Sequence, residues 1–236
     1  MRPYVPPERR IRPTLPKAGR SLLFLAALCL SSAAIVLMAG PGPRWTSARG
    51  SAALVCRLDV DTGHGSCVPV GCVREGDGWR LFVLTAKHVT EGASIIVLMP
   101  EDGNPSAGGT AVDSPDGQDL SIVSFHVAER RDVVPLREEP LSLLDEVTAV
   151  GFGGDNGLRW ASRGLMSGGD RMTAPVWPGD SGGAVLDSSG RLAGIADSIE
   201  INFSPQLQQP IGVPHEAHME LIGPSTARWV RQTVGR

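Results

Sequence analysis

Aromatic residues, cysteine and charge of one sign are all scarce in this sequence, and each shortage closes off a class of function. Phe, Trp and Tyr together make up 5% of the 236 residues, with a single Tyr, so no aromatic platform presents itself as a binding surface. The four cysteines include no C-x-x-C pair, which leaves a cysteine-held zinc site without support. No repeat at a solenoid period occurs, and the strand-like runs are not interleaved with the long helical segments that a parallel α/β sheet needs. The net charge is only −3, and it is unevenly placed. Residues 1–20 hold Arg2, Arg9, Arg10, Arg12, Lys17 and Arg20 against Glu8, which leaves −8 on the rest of the chain. That balance argues against a nucleic-acid-binding body.

What the chain does have is ordinary globular composition, 42% hydrophobic and 20% charged, with 29 Gly and 19 Pro to make turns. Residues 1–20, with Pro3, Pro6, Pro7, Pro13 and Pro16, form a basic extended tail. An uncharged apolar run follows from Ser21 to Ala39, and as a helix it reaches about 28 Å, close to the thickness of a bilayer core. We read residues 21–40 as a transmembrane signal anchor, with the basic tail cytoplasmic and the remainder periplasmic or extracellular. A cleaved signal peptide, which gives a secreted protein, is the alternative. Leu37 stands where a small residue is wanted for a cut after Ala39, and Leu28 similarly disfavours a lipoprotein at Cys29. Residues 41–50 read as a linker, and residues 51–236 as the folded domain.

Within that domain, short β-rich runs alternate with Gly, Asp, Asn and Ser turns: SAALVCRLDV, SCVPVGCV, WRLFVLT, ASIIVLM, DLSIVSF, EVTAVGF, LRWASRG, GGAVLD and RLAGIADSI. Their spacing predicts an all-β sandwich or barrel protein. The charged segment 127–145 joins two sub-domains, and a terminal helix opens on a Ser or Thr cap at Ser225 or Thr226, with Ala227, Val230 and Val234 on one face. A turn at Asp61–Gly63 sets Cys56 opposite Cys67, a candidate disulfide pair that competes with three free buried thiols at Cys56, Cys67 and Cys72.

Three segments carry chemistry. His88 lies in LTAKHV, Asp119 opens DLSIVSF, and Ser181 lies in WPGDSGGAVL. A serine hydroxyl needs a base to act as a nucleophile at neutral pH, an imidazole suits that role, and a carboxylate fixes its tautomer. Asp113 and Asp116 compete with Asp119, but only Asp119 opens an apolar β-run. Gly179, Gly182 and Gly183 give the Ser181 loop the freedom to aim backbone N–H groups, those of Gly179 and Ser181, at a developing oxyanion. GDSGG also satisfies G-x-S-x-G, the elbow of α/β-hydrolases, with Asp187 or Asp197 and His215 or His218 as partners, yet an elbow must lead into a helix. His64 and His126 read as surface residues. His215 and His218 in HEAH have no third ligand, so no metal site is expected, and no cofactor is implied. Gly151, Gly153 and Gly154 read as turns or close packing.

Through TAKHV, DLSIV and GDSGGAV, in the order His, Asp, Ser, residues 51–222 resemble the chymotrypsin-like (trypsin-fold) serine peptidases of compact bacterial type. The resemblance implies two six-stranded antiparallel barrels, with His88 and Asp119 from the first, Ser181 from the second, and a polypeptide substrate in the cleft between them. It also implies a pocket lined by segments 173–179 and 194–200, including Pro175, Ala196, Asp197 and Ser198. There Asp197 and Glu200 either favour a basic substrate side chain or point to solvent. Val89 stands where many animal members have Cys, and no activation-type N-terminus such as IVGG occurs in residues 45–60. Asp180, the acid before the nucleophile, therefore needs another partner, for which Arg159 and Arg163 are candidates. A catalytically silent peptide-binding domain and a small-substrate esterase are the competing functions.

Overall fold

The computed structural model describes residues 50–100, 105–154, 158–199, 203–204, 209–210 and 216–235. The basic tail, the apolar run 21–39 and most of the linker lie outside these residues, as do Glu200 and His215. No helix among the described residues is long and apolar enough to cross a membrane.

Hairpin-rich sequence gives antiparallel pairing throughout the named strands. The first group comprises β1 (Cys56–Val60), β2 (Gly63–Glu75), β3 (Gly78–Ala86), β4 (Ile96–Met99), β5 (Ser106–Ala107), β6 (Thr110–Asp113) and β7 (Leu120–Val127). They form one seven-stranded sheet in the order β5-β4-β1-β2-β3-β7-β6. The expectation of a first closed six-stranded barrel is thus corrected to an open, half-barrel sheet, because β5 has only two residues and β6 four, too few to close the ladder. The second group is β8 (Glu146–Gly151), β9 (Trp160–Gly168), β10 (Arg171–Met172), β11 (Ala184–Asp187), β12 (Leu192–Ile199) and β15 (Ala217–Leu221). These close into a six-stranded barrel in the order β10-β15-β12-β11-β8-β9. A small ribbon of β13 (Phe203–Ser204) and β14 (Gln209–Pro210) stands apart.

Two cores result, and they share a wall. All four residues of β11 are buried. Because strand side chains alternate, Ala184 and Leu186 enter the core with Leu58, Leu84, Ile122 and Phe125, whereas Val185 joins Met166, Met172 and Met219 inside the barrel. Ile195 and Ala196 divide the same way on β12. The wall explains why AVLD reads as a continuous apolar run rather than an alternating one.

Cys56 is the register partner of Cys67 across β1 and β2, as the turn predicts, but no disulfide joins Cys56, Cys67 and Cys72 to one another. The Cys56 thiol donates to the Leu54 carbonyl at 3.3 Å, and burial together with nearby Cys56 pushes the Cys67 thiol well up. The terminal helix α2 (Pro224–Val234) starts one residue before the expected cap, with no side-chain cap. Pro224 suits the first turn because its missing N–H leaves nothing unsatisfied there. Ala227 and Val230 enter the first core as their spacing suggests.

The segment after β7 ties the two halves together. Val134 N–H donates to Pro69 O at 2.8 Å, and Leu192 N–H donates to Pro135 O at 2.7 Å. Asp187, only 2% exposed, anchors it further. One Asp187 oxygen accepts from the Ser189 and Arg191 amides, and the other from Arg191 Nε at 2.9 Å and Arg137 at 3.4 Å. Removing this carboxylate leaves the Ser189 and Arg191 amides without their acceptor, while Arg137 and Arg191 keep Asp145 and Glu139, so Asp187→Ala should lower the unfolding free energy by about 2 kcal/mol. Urea denaturation followed by tryptophan fluorescence measures it, and an unchanged midpoint would show that the network is dispensable.

Candidate active site

Register brings His88 to Asp119. Ala86 pairs with Leu120 at the ends of β3 and β7, so the residues just past each strand end face one another. Lys87 N–H donates to Asp119 O at 3.1 Å. The short helix α1 (Lys87–Thr90) then turns the chain so that His88 meets the Asp119 carboxylate twice, through its backbone N–H to Oδ1 at 2.9 Å and its ring Nδ1 to Oδ2 at 2.5 Å. Burial works against charge on Asp119, yet the His88 ring and backbone bonds outweigh it and hold the carboxyl below its ordinary range. Asp113, the rival acid, pairs instead with Lys87 Nζ at 3.2 Å.

Ser181 sits on the loop entering β11, and β2 clamps that loop from the other half of the molecule. Ser66 N–H donates to Ser181 O at 2.8 Å, and Ser66 Oγ donates to Gly179 O at 2.8 Å while accepting from Phe152 N–H. Thr85 Oγ1 in turn donates to Ser66 O at 2.8 Å. Gly179 and Gly182 adopt φ of +98° and +86°, a region that L side chains rarely enter. Among the described residues the N–H groups of Gly179 and Ser181 donate to no protein acceptor, whereas those of Asp180, Gly182 and Gly183 are engaged with Trp177 O, Ala196 O and Asp180 O.

The Ser181 hydroxyl donates to the backbone carbonyl of Asp197 at 2.9 Å, and no hydrogen bond joins it to His88 among the described residues. Asp197 Oδ1 lies 3.7 Å from His88 Nδ1, and burial together with the nearby Asp119 carboxylate pushes its carboxyl above the ordinary range. One residue of β12 therefore touches both His88 and Ser181. The ligand atoms of His88, Asp119 and Asp197 lie within 4.8 Å of one another, a donor set that a divalent cation accepts in principle, but both Asp119 oxygens already accept bonds from His88.

Asp180 does not rely on Arg159 or Arg163. Its Oδ1 accepts from Gly153 N–H at 2.6 Å and Trp160 Nε1 at 2.7 Å, and its Oδ2 from Trp177 N–H at 2.7 Å. Arg159 donates to Ala53 O. A Cβ on Gly153 would lie 2.6 Å from Asp180 Oδ1, so this glycine marks close packing, as its sequence context suggests. Burial nevertheless prevails over the three donors and raises the Asp180 carboxyl above its ordinary range. Of the other sequence candidates, His218 faces Asp170 at 3.2 Å, and His126 lies against Gly78. His64 is exposed yet sits beside the nucleophile loop, its Nε2 2.8 Å from where a Gly179 Cβ would stand. Ser181 is followed by strand β11, not a helix, which removes the elbow reading.

Sequence reasoning missed Ser66 and Trp160. The available signal for Ser66 was its neighbour Gly65, a strand glycine whose added Cβ would lie 2.7 Å from Val89 and 2.9 Å from Ser181 O. Strand glycines often mark such close approach.

The family model described as "Trypsin-like peptidase domain" matches residues 70–195, so the chain belongs to the trypsin-like peptidase domain family. Among curated proteins none matches. Three solved structures share the fold. An inactive mutant form of Rv3671c from M. tuberculosis overlays with a TM-score of 0.58 at 18% identity, over 84% of this chain and 95% of that one. A serine endoprotease from Yersinia pestis gives 0.58 at 21% identity, over 83% and 67%. An HtrA-type protease, AlgW, solved with a tripeptide, gives 0.60 at 24% identity, over 80% and 62%.

The raised Asp180 carboxyl has a stability consequence. Folding takes up a proton between the unfolded and folded pKa, so Asp180's contribution is full below the unfolded value and is lost as pH rises through the folded one. Stability should therefore fall as pH rises just above the ordinary carboxylate range, and Asp180→Asn should flatten that slope. Thermal melts between pH 3 and 8 test it, and parallel profiles for both proteins would refute it.

Proposed function

We propose that this chain is a serine endopeptidase that hydrolyses peptide bonds through an acyl-enzyme on Ser181, with His88 as general base and Asp119 orienting it. The observation that carries this reading is the doubly bonded His88–Asp119 pair set beside a glycine-opened Ser181 loop in which two N–H groups donate to no acceptor among the described residues. In the reaction the Ser181 hydroxyl leaves the Asp197 carbonyl, gives its proton to His88 Nε2, and attacks the substrate carbonyl. The new oxyanion accepts from the N–H groups of Gly179 and Ser181. His88 then returns the proton to the leaving amine, and water hydrolyses the ester by the same base. Asp119 keeps Nδ1 protonated and stabilises the imidazolium formed in passing. The substrate side chain next to the cut enters between segments 173–179 and 194–200, near Pro175, Ala196, Asp197 and Ser198.

A second reading, a catalytically silent peptide-binding domain, draws on one observation: the Ser181 hydroxyl is bonded to Asp197 O rather than to His88. Labelling of the full chain with a fluorophosphonate separates the two. The expected result is label on the wild type that is lost in Ser181→Ala and His88→Ala, with peptide hydrolysis falling about 10⁴-fold or more in each. Absence of label on a folded wild type would refute the peptidase, and turnover of short esters but not of a peptide library would make it an esterase.

Residues 21–39 hold the domain to a membrane as a single-pass anchor, with the active site on the periplasmic or extracellular side. Supporting this are the length of the apolar run and the basic tail before it. The full chain is expected to stay with membranes through an alkaline carbonate wash. Recovery in the soluble fraction with a new N-terminus near residues 31–40 would mean a cleaved signal peptide instead.

A further inference from the structure

The first sheet leaves one end of its core unfilled. A closed barrel would join its outermost strands, but β5 has two residues and β6 four, and the sheet stays open. Among the described residues a cavity of about 350 Å³ lies at this end. Its floor is formed by Leu54, Leu81, Leu98 and Val127, and Leu81 and Leu98 are core residues only 2% exposed. Val127 ends β7, whereas Leu120, next to Asp119, begins it. At about 3.3 Å per residue, that wall of the cavity stands about 20 Å from the His88–Asp119 pair. None of the residues placed in the peptidase chemistry lines it.

A barrel mouth with an apolar floor and a few polar groups is a common form of small-molecule site. Here the polar groups carry charge. Arg130, Arg131 and Asp132, consecutive in the segment after β7, line one side, two cations against one acid. The Arg130 guanidinium lies over the Trp79 ring, 6.0 Å from its centre. The Arg131 amide donates to Cys72 Sγ at 3.4 Å, which fixes the backbone at the edge of the cavity. An arginine fork matches a carboxylate in shape and charge.

The volume sets the apolar part of the occupant. At about 30 Å³ for each water-sized unit, about a dozen such units fit, enough for one unbranched chain of about ten carbons and too few for the two chains of a phospholipid. Residues 40–49, which lead towards Leu54, carry Arg44 and Arg49 and no acid, so they do not complement the arginines.

We propose that this cavity binds a fatty-acid anion of about ten carbons, its chain against Leu54, Leu81, Leu98 and Val127 and its carboxylate on Arg130 and Arg131. The site is separate from the peptidase reading and does not rest on it.

The test uses the full chain in phosphatidylcholine nanodiscs and decanoic acid with a diazirine on its last carbon. Irradiation and peptide mass spectrometry should place the label within residues 53–56, 98–100 and 127–132. Unlabelled decanoate should compete, and decanol, which has the chain without the charge, should need about tenfold more. Competition should strengthen about fourfold for each methylene added up to about ten carbons and then level off. A rise that continues to hexadecanoate is what partition into the bilayer gives, and it would overturn the proposal, as would label spread over the whole surface. Decanol competing as well as decanoate would also overturn it, the result expected if Glu101 and Asp102, which follow Pro100 of the lining, already hold the arginines. Replacing both arginines, Arg130→Gln with Arg131→Gln, should weaken labelling about tenfold while the far-ultraviolet spectrum stays that of the wild type. Equal labelling of this folded variant and the wild type would refute the assignment of the carboxylate. If the variant does not fold, the decanol comparison and the chain-length series still decide.

Discussion

The Ser181 loop depends on one buried side chain from the opposite half of the molecule. Ser66, fully buried on β2, takes the carbonyls of Ser181 and Gly179 with its own N–H and hydroxyl and accepts the Phe152 amide. A loop bent through two positive-φ glycines cannot satisfy its own carbonyls by continuing a strand ladder, so they need donors from outside. Because these donors come from the first sheet, the Ser181 loop is registered against the same strands that carry His88 and Asp119. The separation of Ser181 from His88 is therefore set by sheet geometry rather than by side-chain reach.

The shared wall of β11 and β12 has the complementary role. Its alternating residues belong to two different cores, and both halves must pack before the loop at its start and the Asp197 segment at its end take their places. Asp187 at the other end of β11 and the segment through Leu136 fasten this wall to the chain between the halves. The placement of the Ser181 loop and the packing of both cores thus run through one strand pair.

Much of this was legible in the sequence. His88, Asp119 and Ser181 each stand at a strand end, and strand ends are recognisable where apolar alternation stops. The turn at Asp61–Gly63 set Cys56 opposite Cys67, but register does not decide oxidation, and no disulfide joins the two. Whether the first sheet closes depends on the lengths of β5 and β6, long-range pairings that periodicity does not encode. The partner of Asp180 was sought among arginines because a buried acid suggests a counter-charge. The fold meets the need with an indole and two amides, neutral donors that no charge pattern reveals. The apolar run at 21–39 was legible as a candidate anchor by composition alone, and it lies outside the described residues.

Those neutral donors change how the enzyme comes into being. Gly153, Trp160 and Trp177 all lie within twenty-seven residues before Asp180, and none is a chain terminus. The acid before Ser181 finds all three of its donors within its own half of the molecule, so its carboxylate needs no amino group from a chain terminus.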